Sequence, residues 1–350
     1  MALSKSSYGS VSNCRLMVDY IQYCKSIGYV DSYQLDDLDG DEKAVWDYNP
    51  ANMQTYTINT AAQGVGWKIN FKNGNKQFSK FLSTVNYFGA LGHDFGNTSA
   101  STFAIRMGTD SADAYVDNGI EIVGSVDSLG YTLRELASGN NISGLDSIDW
   151  LKIYLYNTNN FSTGDEVNVG SLVCGRYFDF PHSANLSMNI KRGYEGVKTK
   201  NTIGGRSISN INYYKQPHWG DYPAWTNIEA TDASDDTDFR PVSATGRRQW
   251  DLTWSFLSKE DTFPKTSEGT MAGIYDNSNG AFDGFDGSVH QGNIMGWLTT
   301  FSMGLNIPML FQPDKTKQEF AKVKANQKSI SIQQSAPSLY TCKLKLTEVW

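Results

Sequence analysis

Residues 171–225 read SLVCGRYFDFPHSANLSMNIKRGYEGVKTKNTIGGRSISNINYYKQPHWGDYPAW. An apolar run, Leu172 to Phe180, ends at Pro181. Leu186, Met188 and Ile190 then alternate with Ser187, Asn189 and Lys191, the two-residue period of a half-buried strand. Gly193, Gly196 and the Gly204-Gly205 pair punctuate the segment as turns, because glycine reaches backbone angles that other residues avoid. Ile208 and Ile211 to Tyr214 form a further strand candidate, and Tyr213, Tyr214, Trp219, Tyr222 and Trp225 close the stretch as an aromatic cluster. The reading is a seam between two β domains followed by a structured crossing.

Working back from the seam, short strands recur between polar turns. The candidates are Tyr56–Asn59, Trp67–Phe71, Val85–Leu91, Ser101–Met107, Ile120–Val123, Trp150–Tyr156 and Val167–Phe178. This rhythm indicates a β-sandwich or jelly roll over residues 46–180. Residues 1–45 read as an N-terminal arm with a first strand or helix. Arg15 to Val30 fits a strand in its first half and leaves its second half open between strand and helix. Asp31 to Glu42, DSYQLDDLDGDE, reads as a solvated acidic loop; its glycine is misplaced for a calcium-binding loop.

Working forward, residues 181–350 read as a second β domain. Trp250, Leu252, Trp254 and Phe256 alternate strictly and are expected on one core face, worth on the order of 10 kcal/mol gross before entropy. Gly292–Gly304 reads as a short helix. Leu305–Phe311, Lys328–Ile332 and Tyr340–Val349 read as strands. The glycine- and aspartate-rich loop 262–290 is long enough to suggest a partner-contacting insertion. The expected fold class is therefore all-β: two β-sandwich or jelly-roll-like domains with long polar loops.

Composition narrows the function. The 350 residues are 39% hydrophobic, 13% aromatic and only 19% charged, with a net charge of −7. Such a chain builds large cores, and its charge opposes general nucleic-acid binding, which needs a basic face. The four cysteines, 14, 24, 174 and 342, form no C-x-x-C pair and are expected as reduced, buried thiols. No apolar run of about 18 residues is present, so no membrane span is expected.

Several blocks carry a resemblance. NYFGALGH (86–93), TFAIRMGTDSAD (102–113), WLKIYLY (150–156) and VNVGSLVCGRYFDFP (167–181) resemble a galactose-binding-like sandwich. NTIGGRSISNINYYKQPHWGD (201–221), GRRQWDLTWSFLS (246–258), IPMLFQPD (307–314) and LYTCKLKLTEVW (339–350) together resemble structural proteins of tailed bacteriophages, from the tail and its adaptors. The resemblance implies a virion component without enzymatic activity; cysteine usage adds the expectation that it is made in the host cytoplasm, and the lack of ligand and phosphate motifs the expectation of no cofactor or metal. The resemblance further implies a homo-oligomeric ring touching other virion proteins, with a host surface glycan as an alternative ligand.

No catalytic motif stands out: there is no G-x-S-x-G, H-E-x-x-H or phosphate-cradling loop. The four histidines, 93, 182, 218 and 290, lie far apart, and His93 reads as a core or loop residue. A polysaccharide-degrading enzyme using Asp283 and Asp286 is a third reading. The partner-contact candidates are Trp219, Tyr222, Trp225, Asp235, Asp236, Arg247, Arg248, Phe282 and Phe285. The aromatic members suit capping of their own core, contact with a partner or stacking on a sugar. The acidic loop 231–238 lies close in sequence to Arg240, Arg247 and Arg248 and is a candidate for pairing across subunits.

Overall fold

The structure is a computed structural model that describes residues 13–50, 52–72, 81–82, 84–95, 98, 100, 102–108, 120–125, 131–136, 148–185, 189–193, 197–211, 247–263, 275–276, 281–282, 293–316, 320–327 and 329–349. The chain opens with β1 (Arg15–Asp19), α1 (Tyr20–Ser26), β2 (Val30–Asp36), β3 (Leu38–Asp39), β4 (Gln54–Ile58) and β5 (Gly64–Phe71). It continues with β6 (Tyr87–His93), β7 (Thr102–Gly108), β8 (Ile120–Ser125), β9 (Tyr131–Glu135), β10 (Trp150–Tyr156) and β11 (Glu166–Asp179). Then follow β12 (Asn189–Gly193), β13 (Val197–Asn201), β14 (Ser207–Ile211), β15 (Arg247–Leu257), β16 (Tyr275–Asp276) and β17 (Ala281–Phe282). A helical segment over 294–301 precedes β18 (Met309–Gln312), β19 (Ala321–Ala325), β20 (Ser331–Ala336) and β21 (Leu339–Glu348).

The main sheet runs β12-β15-β21-β19-β18-β1-β11-β4-β3, with β20 beside β21, and β6 and then β9 beside β11. A five-stranded sheet, β2-β5-β10-β7-β8, packs over part of it, and β13-β14 and β16-β17 form separate ribbons. This is the expected all-β architecture. Asp179 of β11 pairs with Arg15 of β1, and Arg15 pairs in turn with Gln312 of β18. The main sheet's hydrogen bonding therefore runs across the expected division at residues 180 and 181. Gly175 of β11 allows the close approach: a Cβ there would sit 2.0 Å from the Val18 carbonyl oxygen.

One apolar core lies between the sheets and continues beneath the second half. Leu16, Val18, Phe88 and Cys174 face Trp67, Phe103 and Ile153, and Trp250, Trp254, Leu344 and Phe311 extend it. Phe88 stacks on Phe103 at 5.1 Å, and Phe81 on Phe301 at 4.9 Å. The segment 15–30 resolves into strand then helix: Asp19 ends β1 and accepts a hydrogen bond from the Ile21 amide at 2.8 Å, which caps α1.

Three expectations are corrected. The acidic stretch from Asp31 is a strand over its whole first half, because β2 pairs along β5 and forms the outer edge of its sheet, and β3 adds Leu38–Asp39. Charged side chains on such an edge keep it from pairing with other chains. Phe256 does not join Trp250, Leu252 and Trp254 in the core. A register shift between Trp254 and Leu257 inserts a residue, Leu257 takes the core position, and Phe256 is 71% exposed with φ of 63°. Third, β9, β13 and β19 are strands where no candidate was recognised.

Candidate functional site: an aromatic cleft on the outer face of the main sheet

Alternation along each strand of the main sheet sends every second side chain away from the core. Register aligns these outward residues. Met17 of β1 lies between Leu310 of β18 and Tyr177 of β11, and Leu310 in turn opposes Lys322 of β19. On the other side of β11, Tyr87 opposes Glu135, and Leu91 opposes Tyr131. The outward set is apolar enough to form a second cluster: Met17, Tyr48, Tyr87, Leu91, Tyr131, Val173, Leu310 and Phe320. Phe320 reaches from the start of β19 to the Tyr131 ring, edge-on at 4.9 Å. A cleft of about 200 Å³ remains, with Met17 and Tyr87 among its lining, Tyr131, Leu133 and Phe320 as apolar walls, and Arg134, Glu135, Lys315 and Thr316 supplying polar and charged groups.

A buried cation organises one end. Arg15 donates from Nε to Asp179 Oδ1 at 2.6 Å and from Nη2 to Oδ2 at 3.2 Å, and from Nη1 to Glu135. Its guanidinium lies 3.7 Å from the centre of the Tyr177 ring. Burial works against this charge, but hydrogen bonds to Asp179 and Glu135 outweigh it and hold Arg15 above its ordinary value. Lys315 adds a contact to Asp179 at 3.4 Å.

Asp19 and Lys322 lie on the same side of the sheet. Asp19 is fully buried, and burial pushes its carboxyl up to about 7 against the pull of the Ile21, Gln22 and Cys174 amides. Lys322 donates to the Tyr48 carbonyl and lies 4.5 Å from that ring's centre. Burial lowers it to about 8, with Asp19 pulling the other way. The four cysteines are free and buried. Burial drives the thiols up, Cys14 to about 11 and Cys342 to about 12, which leaves little thiolate for chemistry. Chemically the cleft offers ring faces and edges beside charged hydrogen-bonding groups, the equipment for holding an amphipathic group.

The residues singled out from sequence fall elsewhere. Trp219, Tyr222, Trp225, Asp235, Asp236 and Phe285 lie outside the described residues, as do Asp283 and Asp286. Phe282 is in β17, paired with Tyr275. Arg247 begins β15, opposite Gly193. Arg248 is corrected as a contact residue: it is 5% exposed, its amide donates to Glu348 Oε2 at 2.9 Å, and its guanidinium lies 4.9 Å from the Trp250 ring centre. Its charge is spent inside the chain. His93 is buried, hydrogen-bonded to Thr132 Oγ1 at 2.9 Å and stacked on Phe95 at 3.9 Å. The cleft itself was missed, because its residues come from β1, β6, β9, β18 and the approach to β19. The one local signal was the alternation Tyr131, Leu133, Glu135.

Among the described residues no group of three His, Cys, Asp or Glu side chains is placed to hold a metal ion. No helix among them is long and apolar enough to cross a membrane.

The sheets and their packing define an all-β protein of sandwich type. No protein-family model matches the chain, and no curated protein matches it. Among solved structures, the carbohydrate-binding module CBM32-3 from a family 31 glycoside hydrolase of Clostridium perfringens aligns with 42% of this chain and 90% of its own, at 11% identity and a TM-score of 0.26. The N-terminal domain of the single-strand break repair protein XRCC1 aligns with 33% of this chain and 75% of its own, at 8% identity and a TM-score of 0.22. At these scores neither likeness bears on function.

Proposed function

We propose that the chain is a non-enzymatic structural component of a tailed-phage virion, in or next to the tail, acting by self-association and by contacts with neighbouring virion proteins. One observation carries this reading. Of the four blocks that resemble tail proteins, three contain β15, β18 and β21, which lie within the run β15-β21-β19-β18 of the main sheet, and the fourth contains β14 of the separate β13-β14 ribbon. Blocks that cooperate in one sheet are what a shared structural module requires. Light scattering on the purified chain at several concentrations tests it. A closed oligomer of fixed mass is the expected result; a monomer at every concentration counts against self-association.

A second reading is a carbohydrate-binding module that recognises the host surface. The observation favouring it is the cleft, where Tyr131 and Phe320 stand beside Arg134 and Glu135. It predicts saturable glycan binding, weakened at least tenfold by Tyr131→Ala. Silence on a glycan array removes it.

A further inference from the structure

Among the described residues, β13 and β14 pair with each other and with neither of the two large sheets. Its sequence, VKTKNTIGGRSISNI (197–211), contains Lys198, Lys200 and Arg206 and no acidic residue, in a chain whose net charge is −7. The tip is closed by its own hydrogen bonds. The Thr202 amide donates to the Arg206 carbonyl at 2.8 Å, the Arg206 amide to Thr202 Oγ1 at 3.1 Å, and Gly205 takes φ of 80°. Residues 199–208 are all exposed, Ile203 completely so and Ile208 by 53%. A hydrogen-bonded turn that holds an isoleucine outward between cations is suited to act as a contact surface.

The other end of the main sheet's strand order is acidic. β3 is terminal and pairs on one side only, with β4. Residues 37–42, DLDGDE, place four carboxylates there, and Asp39, Asp41 and Glu42 are exposed. None of the four forms a salt bridge among the described residues. The ribbon follows directly after β12, the strand at the opposite end of that order.

We propose that the β13–β14 ribbon is a docking arm that seats on the acidic β3 edge of a second copy of this chain. This rests on the self-association reading above and names its surfaces. Each copy carries the two halves of the contact on different segments, so the contact is heterologous and, repeated, propagates head to tail into a ring or filament. Opposite charge brings the surfaces together, and Ile203 supplies apolar burial. Exposed ion pairs are individually weak and screened, so the association is salt-sensitive. An anionic lipid surface or a nucleic acid would also attract the ribbon, but the remaining negative charge opposes both.

Sedimentation velocity on the full chain tests this. Two variants are compared with the parent: Lys200→Glu/Arg206→Glu in the ribbon and Asp39→Lys/Asp41→Lys at the edge. Each alone is expected to weaken association at least tenfold with an unchanged far-UV circular dichroism spectrum. Mixing the two variants, or combining both changes in one chain, restores it, because each acidic ribbon then meets the two lysines placed at the edge in place of carboxylates. A parent that associates while neither variant weakens it overturns the assigned surfaces and leaves self-association standing. A parent that stays monomeric overturns both. Loss of association without restoration in the mixture overturns the pairing of ribbon with edge. Ribbon-dependent binding to phosphatidylserine vesicles, with association of the chain unaffected by the ribbon variant, overturns the proposal in favour of a membrane.

Discussion

The rings of Phe180 and Trp254 lie parallel, 5° apart in tilt and 3.8 Å between centres. Phe180 closes the first sandwich half, one residue before Pro181, and Trp254 is in the middle of β15. The crossing segment then follows β15: the Asn185 amide donates to the Thr253 carbonyl at 2.8 Å, and the Asn185 side chain to Ser255 Oγ at 2.8 Å. The passage between halves is thus packed and hydrogen-bonded.

Trp254→Ala removes a fully buried ring from this stack and from the core. The expected cost is about 3–5 kcal/mol, the range for large-to-small core changes. Urea unfolding followed by far-UV circular dichroism measures it. Because the main sheet spans both halves, the parent is expected to unfold in one transition. Two well-separated transitions would show that the halves are independent.

The two carboxylates on Arg15 are unequal. Glu135 is 58% exposed and Asp179 29% exposed, while Arg15 is 7% exposed. Glu135→Gln is expected to cost no more than about 1 kcal/mol, as for exposed pairs. Asp179→Asn breaks the two-pronged contact to a buried guanidinium and is expected to cost about 2 kcal/mol. Denaturation midpoints of the two variants give the order, and a larger loss from Glu135→Gln would refute this assignment.

Asp19 and Lys322 set opposite pH slopes. Between the ordinary 3.8 and about 7, folded Asp19 holds a proton that the unfolded chain has released, so its contribution to stability falls as pH rises. Between about 8 and the ordinary 10.5, the unfolded chain binds a proton that folded Lys322 has lost, so this contribution rises with pH. Asp19→Asn is expected to flatten the melting-temperature profile on the acid side while still capping α1. Lys322→Met flattens the alkaline side. Profiles that superimpose on the parent's over both windows would contradict the assignment.

Phe256 keeps a left-handed backbone with its side chain in solvent. Such a conformation costs an ordinary residue about 1–2 kcal/mol, which glycine escapes. Phe256→Gly is therefore expected to be neutral or stabilising by up to about 1 kcal/mol. A large loss on chemical denaturation would mean that the ring contributes a contact of its own.

Most of the strands were legible in the residues. Trp150–Tyr156 is a strand over its full expected length, and Trp250, Leu252 and Trp254 are buried as their alternation requires. The failures have identifiable causes. A single bulge moved Phe256 to the surface, the carboxylates of the acidic stretch concealed β2 and β3, and Arg248 looked like a surface cation because Glu348, a hundred residues later, is invisible from its neighbourhood. The cleft was illegible for the same reason: Arg15, Tyr87, Glu135 and Phe320 meet only because five antiparallel pairings bring their strands together.

The sequence by itself determined what depends on near neighbours: the two-residue period of the strands, the turn glycines, the buried character of the core face and the all-β class. Which strands are adjacent, and whether one sheet continues past Pro181, only the tertiary structure decided. Side-chain alternation marks a strand's buried face, but its partners are chosen by backbone hydrogen bonds over long separations, and every strand offers the same donors and acceptors. The insertion of β1 between β11 and β18 is that choice. It created the outer cleft and left β12, after which the basic ribbon follows in sequence, and the acidic β3 at opposite ends of the strand order.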